Sequence, residues 1–458
     1  MSELRSLAES ARYLSREECE ALARRTLGFA TTSDAARVNV TSGSRGNTRF
    51  AVNQVSTGGD NYDTAVTVTA YAGRRTATST TNQLDDAALR HAVQTAERLA
   101  RLAPEDPEFL PELDPQTYEA SRTWSEATAS LDPQGRAEAV RAITAPATRG
   151  GLVSTGYLDT RAGSSAVANS RGLFAYTRAT ATALTTTVRT PDGTGSGWAG
   201  ASHHDWARID PAALGARAAE KARASRSPAA VEPGRYTVVF EPTAVANLVQ
   251  FIALALNARA ADEGRSFFAR AGGGNKLGLK VVDERVTLLS DPFDTDIAGA
   301  PFTGEGLPTR RSVWIENGIV RNLNYDRYWA QKKGVSPTAS GGSLRMSGGA
   351  SSLDEMIAST PRGLLVTRFW YLRPVDQRTI LYTGLTRDGT FLIENGKITR
   401  AVKNLRFNDS PVFMLNNLDA LGTPVRVSAS EDGGPGQAVM VPPLKVRDFN
   451  FTSLSDAV

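Results

Sequence analysis

The chain of 458 residues contains 41% hydrophobic residues, which is enough for a sizeable buried core and for two or three domains. Its 52 Lys and Arg residues against 48 Asp and Glu residues leave a net charge of +4 that is spread along the chain, so we expect no direct nucleic-acid binding. One cysteine, Cys19, excludes an internal disulfide and a cysteine-rich zinc module.

The first predicted helix begins at a capping box formed by Ser15 and Glu18 and stops at Gly28. Cys19 is predicted to pack in this helix rather than act as a nucleophile, because no base is evident beside it. Three runs with alternating apolar and β-branched residues follow and predict antiparallel strands: ARVNVTSG, TRFAVNQV and TAVTVTAYAG. A second helix is predicted from about Asp85 to Leu102.

The first half of the chain contains a possible internal repeat, with residues 35–102 related to 150–226. The segment at Ser44, SRGNTRFA, is similar to SRGLFAYTR at Ser170, and the helix at Leu84 is similar to the one at Ile209. Both pairs are about 125 residues apart, which predicts two strand-rich units, each closed by a helix. An acidic, proline-rich surface crossover is expected between them, followed by a helix from about Pro133 to Ala145.

The second half begins near residue 231, where two prolines and a glycine precede a buried strand, Tyr236 to Phe240. A central helix is predicted from about Thr243 to Asp262, with Leu248, Ile252, Ala255 and Leu256 facing the core. Strand patterns dominate beyond it, and the element IENG occurs at Ile315 and again at Ile393. Because Asn-Gly favours the type I′ turn, each copy predicts a β-hairpin.

The predicted fold class is therefore α+β in two domains. Residues 1–230 would form an α/β domain of two strand-rich units each closed by a helix, and residues 231–458 a β-rich domain with a central helix. No leader pattern and no apolar run of roughly 18 residues is recognisable, so we expect a cytoplasmic protein without a membrane span.

Two clusters could hold a metal, although a simpler interpretation exists for each. His203, His204 and Asp205 are adjacent, but neighbours on an extended segment point to opposite faces, so a shared metal needs a tight bend. The run SDPFDTDIAGAP has three carboxylates without the calcium-loop spacing, which is also typical of a solvated turn: Asp291, Asp294 and Asp296. His91 lies within a helical pattern and is expected at the surface.

Polar and aromatic residues occur within the predicted strands of the block from Gly363 to Pro411. They either form cross-strand and buried ion pairs or line a groove for an extended peptide, in which a sheet edge supplies backbone hydrogen bonds. The candidate substrate-binding residues are Arg368, Trp370, Arg373, Asp376, Arg387 and Asp388.

This block, VTRFWYLRPVDQRTILYTGLTRDGTFLIENGKI, together with RRSVWIENGIV before it, resembles the TldD/PmbA family of zinc-dependent peptidases. The resemblance covers roughly Gly234 to Val446 and is weaker over the first half. It implies an N-terminal α/β domain and a β-rich C-terminal domain. Members of the family are described as modulators of DNA gyrase and as proteases that mature microcins.

The resemblance also implies where a zinc site would lie. In the TldD branch an H-E-x-x-x-H motif on the central helix and a cysteine near the C-terminus bind the metal. This sequence has Gln250, Phe251 and Ala255 at the three motif positions. Where the cysteine is expected, it offers only oxygen-bearing side chains: Ser428, Ser430 and Asp432. We therefore expect no catalytic residue, no metal ligand and no cofactor in this chain.

These departures match the PmbA branch, also called TldE, whose members pair with a zinc-bearing TldD subunit. The resemblance thus implies a non-catalytic subunit of a heterodimeric metalloprotease, with zinc in the partner and an extended or unfolded peptide as substrate. Two alternatives stay open at this point. One is a stand-alone metal-dependent hydrolase that uses the cluster from Asp291 to Asp296, and the other is a homodimeric peptide-binding or scaffold protein.

Overall fold

The computed structural model describes residues 13–340, 342–431, 433–434 and 438–455. The elements of the first half are α1 (Arg16–Leu27), β1 (Ala35–Ala51), β2 (Gln54–Ala72), β3 (Arg75–Thr81), α2 (Asp86–Leu102), α3 (Glu126–Ala129), α4 (Pro133–Arg149), β4 (Val153–Asn169), β5 (Phe174–Arg189), β6 (Ser196–His203) and α5 (Pro211–Ala224). The capping box of Ser15 and Glu18 is present at the start of α1, and Cys19 is fully buried on that helix.

The first half is a single antiparallel sheet in the order β3-β2-β1-β4-β5-β6, with helices on one face. The order is symmetric about the β1–β4 pair, and Gly43 lies opposite Gly163 at the middle of that pair. Helix α2 packs on β2 and β3, and α5 packs on β5 and β6; α1 and α4 cover the central strands, α1 on β1 and β4 and α4 on β1, β2 and β4. The chain therefore forms two helix-strand-strand-strand-helix units that share one sheet, as the predicted repeat required.

One of the two similarities behind the repeat is wrong. Ser44 lies in the middle of β1, where its neighbour Arg45 pairs with Arg161, whereas Ser170 follows the last residue of β4 and belongs to the turn before β5. The similarity of the helices does hold, because α2 and α5 each follow the third strand of a unit. The short SRG match arose by chance between a strand and a turn.

The predicted run TRFAVNQV is also not a separate strand. Its first half completes β1, and the chain then reverses at Val52 and Asn53, which have φ angles of 51° and 63°. Positive φ is rare for valine, so the local sequence does not favour this turn. The turn is held from outside, because the Asn53 side chain accepts a hydrogen bond from Ser154 N at 2.7 Å and donates to Leu152 O at 2.9 Å.

The second half contributes the remaining strands and helices. They are β7 (Gly234–Phe240), α6 (Pro242–Ala255), α7 (Ala258–Asp262), β8 (Leu288–Ser290), β9 (Ser312–Glu316), β10 (Ile319–Val320), α8 (Arg327–Lys333), β11 (Leu344–Met346), α9 (Leu353–Ala358), β12 (Arg362–Val366), β13 (Phe369–Asp376), β14 (Leu381–Thr386), β15 (Thr390–Glu394), β16 (Lys397–Ala401), β17 (Leu405–Asp409), α10 (Pro411–Asn416), β18 (Leu418–Leu421), β19 (Val425–Ser428), β20 (Ala438–Val441) and β21 (Leu444–Leu454).

These strands form two sheets, and α6 lies between them. One sheet has the order β10-β9-β8-β11-β20-β19, and the other has the order β13-β14-β17-β21-β7-β12-β15-β16 with β18 paired to β21. Helix α6 packs against β7 and β13 on one side and against β19 and β20 on the other. Being covered on two sides, it is buried at every residue from Ala244 to Val249.

The predicted central helix is interrupted near its end. Helix α6 stops at Ala255, which is only half-buried, and Asn257 caps the short helix α7 by accepting a hydrogen bond from Ala260 N at 2.8 Å. A distant segment stabilises the break, because Leu256 O accepts from Asn324 N and Asn324 O accepts from Ala258 N. Leu248, Ile252 and Leu256 are buried as expected.

Both Asn-Gly hairpins are confirmed. Asn317 and Gly318 have φ angles of 50° and 78° between β9 and β10, and Asn395 and Gly396 have φ angles of 51° and 73° between β15 and β16. Positive φ at both central residues is the type I′ geometry that the sequence predicted. Among the helices in the described ranges, none has the length and apolar character needed to cross a bilayer.

The close approach of β1 and β4 generates a stability prediction. A Cβ atom added at Gly163 would lie 2.6 Å from Ser42 O and 3.1 Å from the Cα of Gly43. We expect Gly163→Ala to lower the free energy of unfolding by about 1–3 kcal/mol, because the two central strands must move apart. Chemical denaturation of the purified variant measures this change.

The matched control is Gly59→Ala on β2, where the nearest atom to an added Cβ is Asn47 Nδ2 at 4.0 Å. This variant should change the free energy of unfolding by no more than about 0.5 kcal/mol. Equal effects at the two positions would show that the β1–β4 contact is not the tight one.

Candidate functional site

The C-terminal half of α6 carries the positions at which the resemblance places a metal site. Gln250 Nε2 donates to Ala429 O at 2.8 Å and to Asn247 O at 3.0 Å. Asn247 Nδ2 donates to the same Ala429 carbonyl at 3.0 Å. The Phe251 ring stacks on Tyr382 with centroids 3.6 Å apart and an interplanar angle of 13°. Each side chain at these positions is thus engaged in packing or hydrogen bonding.

The structure brings α6 next to the segment that carries Ser428 and Ser430, as the resemblance implies for the helix and the C-terminal cysteine. Ser428 Oγ donates to Gly434 O at 3.2 Å, and Asp432 lies outside the described residues. An amide, a phenyl ring and a methyl group cannot replace two imidazoles and a general base around zinc. The residues at this position therefore do not fit the metal that the family implies.

Glu431 attaches the segment after β19 to strand β13. Its carboxylate accepts hydrogen bonds from Leu372 N at 2.7 Å and from Tyr371 N at 3.0 Å, and its carbonyl accepts one from Arg368. Tyr371 has a φ of 57°, which places both amide groups towards the same carboxylate. This contact fixes one wall of a cavity between the two halves of the chain.

The cavity, which we call the Arg–Trp cavity, has a volume of about 390 Å³. Arg368 lies between two indole rings, with its guanidinium carbon 4.4 Å from the Trp198 centroid and 5.5 Å from that of Trp370. Arg387 lies 5.2 Å from the Trp370 centroid. The lining residues are Val153, Thr155, Thr185, Thr187, Arg189, Trp198, Arg368, Trp370, Arg387, Asp388 and Glu431.

A buried ion pair forms the floor of this cavity. Arg368 Nη1 lies 3.3 Å from Asp388 Oδ2, and their side chains are only 5% and 2% exposed. Ser196 Oγ, from β6 in the first half, donates to the other carboxylate oxygen at 2.5 Å. The ion-pair alternative from the sequence is thus confirmed for this pair, which joins the two halves of the chain.

The six candidate substrate-binding residues do not all meet. Arg368, Trp370, Arg387 and Asp388 line the Arg–Trp cavity. Arg373 lies outside the lining, stacked 4.3 Å over the Tyr371 ring and 3.7 Å from Glu431.

Asp376 lies in a turn at the end of β13, away from the cavity. Its carboxylate accepts hydrogen bonds from Arg378 N at 3.0 Å and from Thr379 Oγ1 at 2.7 Å. Seven of the eleven lining residues were not among the candidates, Trp198 and Glu431 included. The only local signal was a tryptophan among glycines and alanines in β6.

The two clusters considered for metal binding have other partners. His203 and His204 lie with ring centroids 4.4 Å apart, but His203 Nδ1 accepts from the backbone N–H of Asp205, whose carboxylate accepts from Ser125.

In the acidic run, Arg345 binds Asp294 through two nitrogens at 2.7 and 2.9 Å and reaches Asp296 at 2.8 Å. Across the described ranges, no three His, Cys, Asp or Glu side chains are placed to hold a metal ion. Both clusters are therefore accounted for by contacts within the chain.

Comparison with known proteins assigns these features to a family. Three consecutive family models match the chain, described as PmbA/TldA metallopeptidase domain 1 over residues 36–100, central domain over 101–226 and C-terminal domain over 233–453. The chain is 24% identical over 443 residues to the metalloprotease PmbA of Escherichia coli O157:H7, covering 90% of this chain and 92% of the relative.

Another metalloprotease relative and two solved structures are also similar to this chain. A metalloprotease of Methanothermobacter thermautotrophicus is 27% identical over 328 residues, which is 65% of this chain and 69% of the relative. TldE from Thermococcus kodakarensis matches with a TM-score of 0.83 at 18% identity, over 95% of this chain and all (100%) of that one. A candidate modulator of DNA gyrase from Bacteroides thetaiotaomicron matches with a TM-score of 0.80 at 24% identity, over 96% and 100%. The two structures establish the fold.

The environment of His203 generates a prediction about pH. Burial, and then the charge of Arg426, lowers the pKa of His203 from 6.5 to about 4. As the pH falls from 6.5 to 4, the unfolded chain binds a proton here that the folded chain does not, so stability is lost in that window. We expect His203→Asn, which keeps an acceptor for Asp205 N but cannot titrate, to lose less stability over this range.

Chemical denaturation at pH 7 and at pH values between 6.5 and 4 gives the two profiles. His91→Asn, at an exposed position on α2, is the control and should follow the wild-type profile. Parallel profiles for wild type and His203→Asn would contradict the assignment.

Proposed function

This chain belongs to the PmbA/TldA metallopeptidase family, and from that premise we propose that it is the non-catalytic subunit of a heterodimeric zinc protease. The observation that carries the proposal is the set of contacts made by Gln250 and Phe251. They join α6 to Ala429 and Tyr382 through an amide and a ring where a catalytic member of the family needs ligands and a base. The zinc, the base and the activated water would come from a TldD-like partner.

In this proposal the Arg–Trp cavity contributes to binding an extended peptide. Its lining has three guanidinium groups against two carboxylates, together with two indole rings, so it suits acidic and aromatic side chains of a peptide. Strand β13 is at the end of its sheet, and the stretch from Arg373 onward is largely exposed. An extended chain can add to such an edge through backbone hydrogen bonds, whereas a folded protein cannot.

The alternatives are less well supported. A stand-alone hydrolase centred on the acidic run would need Asp294 and Asp296 to release Arg345, which binds both. A homodimeric scaffold needs no catalytic residue, and it differs from our proposal only in its partner. Measuring the zinc content of the chain and identifying its partner distinguish the non-catalytic subunit, the stand-alone hydrolase and the homodimeric scaffold.

The first test is zinc and peptidase activity in the purified chain and in a co-expressed pair with an H-E-x-x-x-H-bearing relative from the same genome. We expect zinc and turnover in the pair alone. Gln250→Met in this chain should leave the zinc content of the pair unchanged, whereas loss of a motif histidine from the partner should remove it. Stoichiometric zinc in the isolated chain, with activity abolished by a chelator, would overturn the proposal. A stable homodimer that does not bind the relative would favour the scaffold protein.

The second test addresses peptide binding at the Arg–Trp cavity. Trp370→Ala should weaken binding of an unstructured acidic peptide by about tenfold or more, because an aromatic contact in a cavity is removed. Fluorescence anisotropy of a labelled peptide measures the dissociation constant.

Val335→Ala is the control, since Val335 is 47% exposed and lies outside both the lining and strand β13. It should leave the dissociation constant unchanged. Equal dissociation constants for wild type and Trp370→Ala would show that the cavity does not bind the peptide. Zinc in the co-expressed pair would still support the role as a non-catalytic subunit.

A further inference from the structure

A second and larger cavity opens on the same face of the first sheet. It has a volume of about 510 Å³ and lies between strands β1, β4, β5 and β6 of the first half and residues of the second half in the segments 298–304 and 342–343, together with Arg426 and Ala438. Ser202 lines it, four residues along β6 from Trp198 of the Arg–Trp cavity, which corresponds to about 13 Å of strand. We call it the Arg426 cavity.

Arg426 is the single charged side chain among the described residues that line this cavity. The pKa of His203 and that of His204 are both lowered by burial, so the two imidazoles are neutral at pH 7. Burial lowers the pKa of Arg426 to about 10, which still leaves the guanidinium charged. Among these described lining residues there is no carboxylate, so the one charged group at the cavity wall is a cation.

The guanidinium is held in place by hydrogen bonds to two backbone carbonyl groups. Arg426 Nε donates to Ser202 O at 2.7 Å, and Nη1 donates to the carbonyl of Asp296. Within the described part of the chain, Nη2 has no hydrogen-bond acceptor. The closest acidic groups belong to Asp294 and Asp296, and Arg345 already binds both. Nη2 is thus available to a ligand.

A buried hydroxyl lies beside Arg426 and also lacks a partner. Ser202 is 5% exposed, and its Oγ makes no hydrogen bond with the described residues. Ser202 lies opposite Ala183 in the β5–β6 ladder and shares a sheet face with Trp198, whose ring covers Arg368 of the second half. Its side chain therefore points towards the second half. A buried hydroxyl without a partner is destabilising, and a bound hydrogen-bond acceptor would remove this cost.

We propose that the Arg426 cavity binds the free C-terminal carboxylate of a peptide held between the two halves of the chain. Nη2 of the cationic guanidinium can donate to a carboxylate, and the Ser202 hydroxyl supplies a further donor. The remaining lining includes Ala179, Ala181 and Phe302, which suit the apolar part of a terminal residue. This inference rests on the proposed peptide-binding function and gives it a defined end: the subunit recognises a chain terminus, not an internal segment.

The test compares two peptides of one unstructured sequence, labelled at the N-terminus, one with a free C-terminal carboxylate and one with a C-terminal amide. Fluorescence anisotropy with the full chain should show at least tenfold tighter binding of the free acid, since the amide cannot pair with Arg426. Arg426→Gln should bring the two dissociation constants together, and Ser202→Ala should weaken the free acid alone by a smaller factor. Arg447→Gln, which removes an exposed guanidinium outside the lining, is the charge-matched control and should preserve the preference.

Each other outcome has a definite meaning. Equal binding of acid and amide by the wild-type chain, which needs no variant to fold, overturns the carboxylate site and leaves the peptide-binding proposal intact. Failure of both peptides to bind overturns both. Acetate that binds as tightly as the free-acid peptide, with the same loss in Arg426→Gln, would identify a small-anion site and overturn recognition of a peptide end.

Discussion

The buried ion pair between Arg368 and Asp388 of the second half lies where the two halves of the chain meet. Both side chains are almost completely buried, and the carboxylate also accepts a hydrogen bond from Ser196 of the first sheet. Removing one member of such a pair leaves an uncompensated buried charge, at a cost of about 3–5 kcal/mol. The hydrogen bond from Ser196 and the contact of Trp198 with Arg368 therefore join β6 to the second half, beside the Arg–Trp cavity.

A second constraint is the burial of α6 between two sheets. The resemblance places a metal centre where this helix meets the segment after β19, and here hydrogen bonds from Asn247 and Gln250 to Ala429 join the same two elements. These amide donors join the two elements because they satisfy a buried carbonyl that would otherwise lack a partner. Glu431 then extends the connection to the backbone of β13.

The sequence-based predictions were correct where residues close together in the chain stabilise an element, and they failed where distant residues do. The capping box at Ser15 and the turn at Asn317 and Gly318 were predictable because residues within four positions of one another stabilise them. The turn at Val52 and Asn53 was not, since Ser154 and Leu152 hold it from about a hundred residues away. The break after α6 has the same cause, because Asn324 binds both sides of it.

The sequence by itself determined the fold class, the family and the residue types at the positions where the resemblance places metal ligands. These follow from hydrophobic periodicity, turn chemistry and side-chain identity, which can be read from residues that are neighbours in the chain. Only the tertiary structure decided which groups share a cavity. It placed Trp198 over Arg368 and Ser202 beside Arg426, and it left Asp376 in a turn of its own. These pairs are far apart in the chain and meet through the packing of two sheets, and no local pattern encodes a distance across such an interface.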